Sequence, residues 1–152
     1  MNASGRSPQP PLLFLGCLLL GWGLGFLHPL ELPLPNPARY ALGGALALAA
    51  AGLGAWGVVT FRRMGTTPDP NGTATALLTT GPFRHSRNPL YLALSLLLTA
   101  FGLALDSGWI LLLVPVLAVL LDRLVIAREE VRLQTLFGEA YRDYTRRVRR
   151  WL

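Results

Sequence analysis

Residues 40–61 read YALGGALALAAAGLGAWGVVTF, twenty-two residues without a formal charge, and Arg62-Arg63 follow at once. At 1.5 Å of rise per residue, a helix of this length crosses the ~30 Å hydrocarbon core of a bilayer. The run therefore predicts a membrane-spanning helix stopped by two arginines at the membrane edge.

Working outward, residues 11–30 form a second uncharged run. Only Arg6 precedes it, it exceeds the hydrophobic region of a signal peptide, and no Ala-x-Ala site follows, so it reads as a retained span. The proline-rich residues 32–37 between these runs make a short exposed connection. Downstream, Asn88-Pro89 has the grammar of a helix start, with Asn as N-cap and Pro as first helical residue, and opens a third run over 89–105. Asp106-Ser107-Gly108 makes a turn. The fourth run begins at Trp109 and continues to Ile126, with Arg123 snorkelling to the interface.

The expected fold is thus all-α and integral to the membrane: four transmembrane helices (11–30, 40–61, 89–105, 108–126), a loop over 62–88 and a C-terminal amphipathic segment over 127–152. The whole chain, 1–152, reads as a single membrane domain. Composition agrees, since 52% of residues are hydrophobic and 14% charged, against roughly 25% charged in soluble domains. The single cysteine, Cys17, lies inside an apolar run and reads as packing.

The net charge of +6 comes from arginine alone, for there is no lysine. These arginines sit at the ends of apolar runs rather than along one soluble face, which argues against nucleic acid as partner. Thirteen of the fourteen fall on one side of the expected spans and only Arg39 on the other. The positive-inside rule then places both termini and the long loop in the cytoplasm. The arginine bias hints at a bacterial source, hence an inner membrane. Tyr40, Trp56 and Trp109 lie near span ends, as interfacial aromatics should, whereas Trp22 reads as packing.

Glycine carries two patterns in the second run. Gly43, Ala47, Ala51 and Ala55 recur every fourth residue, a small-residue stripe that admits a neighbouring helix. Gly52, Gly54 and Gly57 match G-x-G-x-x-G, but inside a span rather than between strand and helix, so close packing is the better account than dinucleotide binding.

Chemistry concentrates elsewhere. Residues 79–91, TTGPFRHSRNPLY, set Arg84, Arg87, His85, a helix start and Tyr91 at the cytoplasmic membrane edge. Guanidinium groups beside a helix N-terminus suit a carboxylate or phosphate; the plainer reading is a positive anchor before a capped helix. A Pro-Asp-Pro-Asn-Gly turn centres the long loop before it. His28 is isolated near the opposite face, and no His, Cys or acid cluster has metal-ligand spacing, so no metal is expected.

The second segment is Arg128-Glu129-Glu130-Val131-Arg132-Leu133. At about 100° per residue Asp122, Ile126, Glu129, Leu133 and Leu136 share a face that Glu130 borders, while Arg128 and Arg132 point away. A carboxylate on such a face needs a cation or a ligand's hydroxyls; the plainer reading, most of all for Asp122, is a salt bridge to Arg84 or Arg87. After Gly138, Tyr141, Tyr144, Val148 and Trp151 make an apolar stripe on an arginine-rich helix, able to lie on an anionic leaflet or to close over the loop.

Taken together, the two segments resemble the isoprenylcysteine carboxyl methyltransferase and phospholipid methyltransferase superfamily. The matching residues are Gly81-Pro82-Phe83-Arg84 with Arg87-Asn88-Pro89-Leu90-Tyr91. They are followed in order by Glu129-Glu130, Phe137-Gly138-Glu139-Ala140-Tyr141-Arg142-Asp143-Tyr144 and the basic end from Arg146 to Trp151. The resemblance covers Thr75 to the C-terminus. It implies methyl transfer from S-adenosyl-L-methionine at the cytoplasmic membrane face to a small lipophilic or amphiphilic acceptor, by O-, N- or S-methylation. It also implies a pocket closed by the loop and the C-terminal segment, with a lateral opening for a lipid or other lipophilic substrate. Carried over by motif, Leu77, Leu78, Phe83, Asn88, Pro89 and Tyr91 would line the cofactor site, with Glu129 and neighbouring Glu130 at a polar end and Arg87 suited to the cofactor's carboxylate. Gly52 and Gly54 match a Gly-x-Gly element of the phospholipid enzymes. Asn88 and Val125 depart from the prenylcysteine enzymes, which weakens a prenylcysteine substrate. The acceptor atom stays open. The rival reading is a non-enzymatic four-helix membrane scaffold or transporter subunit, against which stands the clustering of Arg84, Arg87, Tyr91 and Glu129 on one side.

Overall fold

A computed structural model describes residues 7–66 and 74–152. Arg6 and the expected turn at 68–72 lie outside the described residues. The order is α1 (Pro10–Leu27), α2 (Asn36–Arg63), a 3-10 turn (Gly81–Arg84), α3 (Pro89–Ala104), α4 (Gly108–Leu121), a π turn (Asp122–Ile126) and α5 (Ala127–Arg147). No strand occurs among the described residues.

Three helical stretches are long and apolar enough to cross a membrane: Pro10–Leu27, Asn36–Arg63 and the continuous Gly108–Arg147. α3 is a shorter apolar helix of 16 residues, about 24 Å at 1.5 Å per residue. Prolines open α1, α2 and α3 within their first two positions, where a missing N–H costs no helical hydrogen bond. At α4 Ser107 caps instead, its side chain accepting from the Ile110 N–H at 3.3 Å.

Packing runs α2 on α3, α3 on α4 and α4 on α1, with α1 also touching α3. Cys17, Tyr91, Leu98, Ile110, Leu117, Leu121, Val125 and Ile126 form the buried core, so Cys17 does pack. Gly57 opposes Leu90, whose Cδ2 would stand 2.7 Å from an added Cβ, and Gly43 opposes the Ala100 carbonyl at 3.2 Å. α2 and α3 are therefore antiparallel and close.

The small-residue stripe differs from expectation. Gly43 is buried and Ala47 half-buried, but Ala51 and Ala55 are exposed; the buried positions are Arg39, Gly43, Ala50, Gly57 and Thr60. A four-residue step drifts by about 40° each time, whereas the seven-residue step from Gly43 to Ala50 to Gly57 stays on the seam. Of the G-x-G-x-x-G glycines, Gly57 meets Leu90 and Gly54 lies near Ala93, while Gly52 faces open space. Trp22 is not packed in the core: it is half exposed and stacks edge-on against Phe26 at 4.9 Å.

One end of the bundle is tied shut by polar contacts. Arg39 Nη1 lies 2.9 Å from Asp106 Oδ1, and its Nη2 donates to Asn36 Oδ1 at 2.5 Å. The α1–α2 connection pairs with the α3–α4 turn: Leu32 N donates to Asp106 Oδ1 (2.9 Å) and Gly108 N to the Leu30 carbonyl (2.7 Å). Trp109 Nε1 donates to the His28 carbonyl at 2.7 Å. The other end, where α2 stops, α3 starts and α5 emerges, stays open.

Candidate functional site

At that open end lies a cavity of about 870 Å³, counting the space at its mouth. Its walls come from the end of α2, the loop before α3, the first turn of α3 and both halves of α5.

The loop is fixed to α2 by shape. Gly81 adopts φ +60, and an added Cβ there would stand 2.6 Å from Thr60 Oγ1 and 3.2 Å from Trp56 Nε1. Only glycine combines that backbone with so close an approach. Next, Phe83 packs edge-on against Phe61 at 5.4 Å. Pro82 and Phe83 are buried, whereas Arg84 and His85 are exposed and stand off the cavity wall. Arg84 therefore does not join the cluster expected of it.

Pro89 opens α3 as anticipated, but Asn88 does not cap it with its side chain. Its Nδ2 instead donates to the Arg150 carbonyl at 2.9 Å, because the C-terminal tail returns to this point and offers an acceptor outside any helix. The Asn88 carbonyl accepts from the Tyr91 and Leu92 N–H groups, both at 3.1 Å. One turn in, Tyr91 donates its hydroxyl to Glu129 Oε2 at 2.9 Å, joining α3 to α5.

Arg87 is the centre of the polar wall. Its Nη1 lies 2.9 Å from Glu130 Oε1 and donates to the Tyr141 hydroxyl at 3.4 Å. Its Nε is buried without a hydrogen-bond partner among the described residues. Glu130 is shared with Arg150, whose Nε donates to Oε1 at 3.1 Å and whose Nη2 contacts Oε2. Asp122 pairs with Arg150 Nη1 at 3.1 Å, not with Arg84 or Arg87, since the returning tail brings Arg150 to the π turn first.

α5 reaches the cavity twice. The π turn adds a residue to one helical turn and so re-phases the helix beyond it. Glu129, Glu130, Arg132 and Leu133 all line the cavity, and Leu136 is exposed. Arg132 thus does not point away, because the cavity takes a wider arc of α5 than a narrow stripe. At Gly138 the backbone turns to φ 51, ψ −120 and kinks the helix, swinging Tyr141 and Tyr144 inward until each is 4% exposed.

Of the two dispositions open to the aromatic stripe, the helix closes over the loop: Tyr144 donates its hydroxyl to the Phe83 carbonyl at 2.7 Å. Val148 and Trp151 leave the stripe, since the helix ends at Arg147. Burial raises the phenol pKa of Tyr144 well above its ordinary value. Burial and the nearby Glu130 raise that of Tyr141. Both hydroxyls therefore stay neutral at physiological pH, that of Tyr144 donating to the Phe83 carbonyl and that of Tyr141 accepting from Arg87.

Leu77, Leu78, Phe83, Arg87, Asn88, Pro89, Tyr91, Glu129 and Glu130 all border this one cavity. Gly52 and Gly54 do not. Sequence reasoning missed Phe61, Thr66, Ala74, Ala76 and Arg132; an aromatic closing a span just before two arginines was the only signal among them.

A sequence model described as phospholipid methyltransferase matches residues 38–140 of the chain. An uncharacterized protein of Haemophilus influenzae is 41% identical over 63 residues, which is 41% of this chain and all of that protein. No solved structure matches.

Proposed function

The chain belongs to the phospholipid methyltransferase family, and from that premise we propose that it transfers a methyl group from S-adenosyl-L-methionine to a small lipophilic or amphiphilic acceptor at the cytoplasmic membrane face. The enzyme is isoprenylcysteine carboxyl methyltransferase-like, and its acceptor atom is oxygen, nitrogen or sulfur. The whole chain acts as a single membrane domain. α3 counts as a fourth span, because it packs between α2 and α4 and its neighbours can accommodate a short helix by thinning the bilayer. Both termini then lie on the cavity side, in the cytoplasm, and the membrane is a bacterial inner membrane.

The single observation that carries this reading is the cavity's donor set. The cofactor is an amphiphile with a carboxylate, an ammonium, ribose hydroxyls, a flat base and a sulfonium, and the wall offers a group for each. Arg87, with its buried Nε lacking a partner among the described residues, suits the carboxylate. Glu129 and Glu130 suit the ammonium or hydroxyls, and Tyr91 holds Glu129 in place through its 2.9 Å hydrogen bond. Leu77, Leu78, Phe83 and Pro89 supply apolar surface for the base, and the aromatic faces tolerate a sulfonium. When bound, the cofactor supplies an electrophilic methyl group. The chain's own task is to hold donor and acceptor in line and to keep water out. Asn88 keeps the tail against the start of α3, and Tyr144 locks the loop over the cavity.

Calorimetry with S-adenosylhomocysteine in detergent tests the site. Glu129→Ala and Tyr91→Ala are each expected to weaken binding at least tenfold, about 1.4 kcal/mol. Unchanged affinity in both folded variants would remove the site assignment. Labelled methyl donor with lipophilic amines, thiols and carboxylates then identifies the acceptor.

A further inference from the structure

Beyond the helix end at Arg147, Val148 is extended (φ −122, ψ 129) and turns the chain back across the start of α3. There the tail is held by its backbone. The Arg149 carbonyl accepts from the Arg87 N–H at 3.0 Å, and the Arg150 carbonyl accepts from Asn88 Nδ2 at 2.9 Å and Ser86 Oγ at 3.5 Å. Trp151 packs against the core that includes Tyr91. These contacts fix where the Arg150 side chain begins.

Its guanidinium then serves two carboxylates on different elements. Nη1 reaches both oxygens of Asp122, at 3.1 and 3.3 Å, in the π turn. Nε and Nη2 take both oxygens of Glu130 on α5. A planar fork of five donors can do this, and the point charge of a lysine cannot. Arg150 itself does not line the cavity, and it lies beyond the residues matched to the family.

We propose that Arg150 is a positioning residue: by engaging both oxygens of Glu130 it leaves Arg87 a single contact with that carboxylate and keeps the guanidinium available to an anionic ligand. The inference rests on the methyl-donor site proposed above. Glu130 Oε2 is occupied by Arg150, so only Oε1 faces Arg87. Arg87, Arg150, Glu130 and Asp122 together are electrically balanced. Without Arg150, Glu130 turns both oxygens to Arg87 as a bidentate pair, the preferred geometry of arginine with carboxylate. The cluster then carries an excess negative charge beside the place where a carboxylate must bind. Arg150 thus acts on the ligand through Arg87.

The test is a double-mutant cycle on S-adenosylhomocysteine affinity, measured by calorimetry on the full chain in detergent. Helicity and thermal midpoint serve as fold controls. R150A is expected to lower affinity at least tenfold, R150K to restore less than half of that loss on a logarithmic scale, and R150A to cost less than twofold more when R87A is already present. Additive losses in the cycle would show a general brace instead and overturn the proposal. So would wild-type affinity in R150A. If R150A does not fold, the R150K and R87A cycle carries the same expectation of non-additivity. Failure of wild type to bind at all would overturn the donor-site reading together with this role, whereas binding that ignores Arg150 overturns this role alone.

Discussion

Arg39 and Arg87 sit at opposite ends of the same bundle, each facing a carboxylate at 2.9 Å, and their surroundings differ. Arg39 is 5% exposed and its Nη atoms contact Asp106, Asn36 and the Leu103 carbonyl, while its Nε, like that of Arg87, is buried without a hydrogen-bond partner among the described residues. Arg87 opens on a cavity, and its carboxylate partner is divided with a second arginine. A pair that is fully enclosed ties helices together. A pair that borders a cavity and shares its carboxylate with a second arginine is able to exchange partners with a ligand. The same two residue types thus tie helices at one end and border a cavity at the other, and the difference lies in what surrounds them.

The comparison can be broken first at the enclosed end. Asp106→Asn leaves the buried Arg39 charge without its carboxylate while keeping a residue that tolerates the positive φ at this position. It is expected to destabilise the protein by about 3 kcal/mol, the lower part of the range for breaking a buried pair, because Asp106 is a third exposed. Thermal unfolding in detergent measures this. Ligand affinity of the folded fraction should stay within twofold; a variant of normal stability that lost the ligand would reverse the roles of the two ends.

A smaller effect is expected where the loop meets α2. Gly81→Ala forces a side chain onto a left-handed backbone and against Thr60 Oγ1. A loss of roughly 1–3 kcal/mol follows from strain of this kind. It should appear with faster hydrogen exchange in residues 77–86, and protection equal to wild type there would show that the loop is held otherwise.

The smallest effect concerns alkaline pH. Burial raises the phenol pKa values of Tyr141 and Tyr144 above the ordinary value of 10.0. Stability from keeping these phenols neutral is therefore complete below about pH 10 and declines as pH rises through the raised values. Docking of the C-terminal helix, followed by hydrogen exchange over 139–152, should hold to pH 10 and loosen above it. Tyr144→Phe removes the hydroxyl contact to Phe83, at a cost of roughly 1 kcal/mol, and should lessen that alkaline loosening; an unchanged pH profile would exclude Tyr144 as its source.

How much could be read beforehand varies from element to element. The long apolar helices were legible because length and absence of charge are local properties. Pro89 at the start of α3 was legible for the same reason, as was the gathering of Arg87, Tyr91, Glu129 and Glu130 through the two linked motifs. The outward placement of Arg132 and the partner of Asp122 were misread. The first depends on the breadth of the cavity and on the π turn. The second depends on where the tail lands after Arg147. Ala51 and Ala55 were misread because a four-residue spacing looks regular in sequence yet drifts off the packing seam in space.

The sequence by itself determined that this chain forms apolar helices and that its arginines gather at their ends. Each follows from hydropathy, charge and short motifs that need no partner. Only the tertiary structure decided that Arg39 is enclosed and Arg87 open, that Asn88 serves the tail rather than its own helix, and that Arg150 divides Glu130 with Arg87. These are choices among chemically equivalent partners far apart along the chain. Distance, burial and the fixed fork of a guanidinium make that selection once the helices have packed.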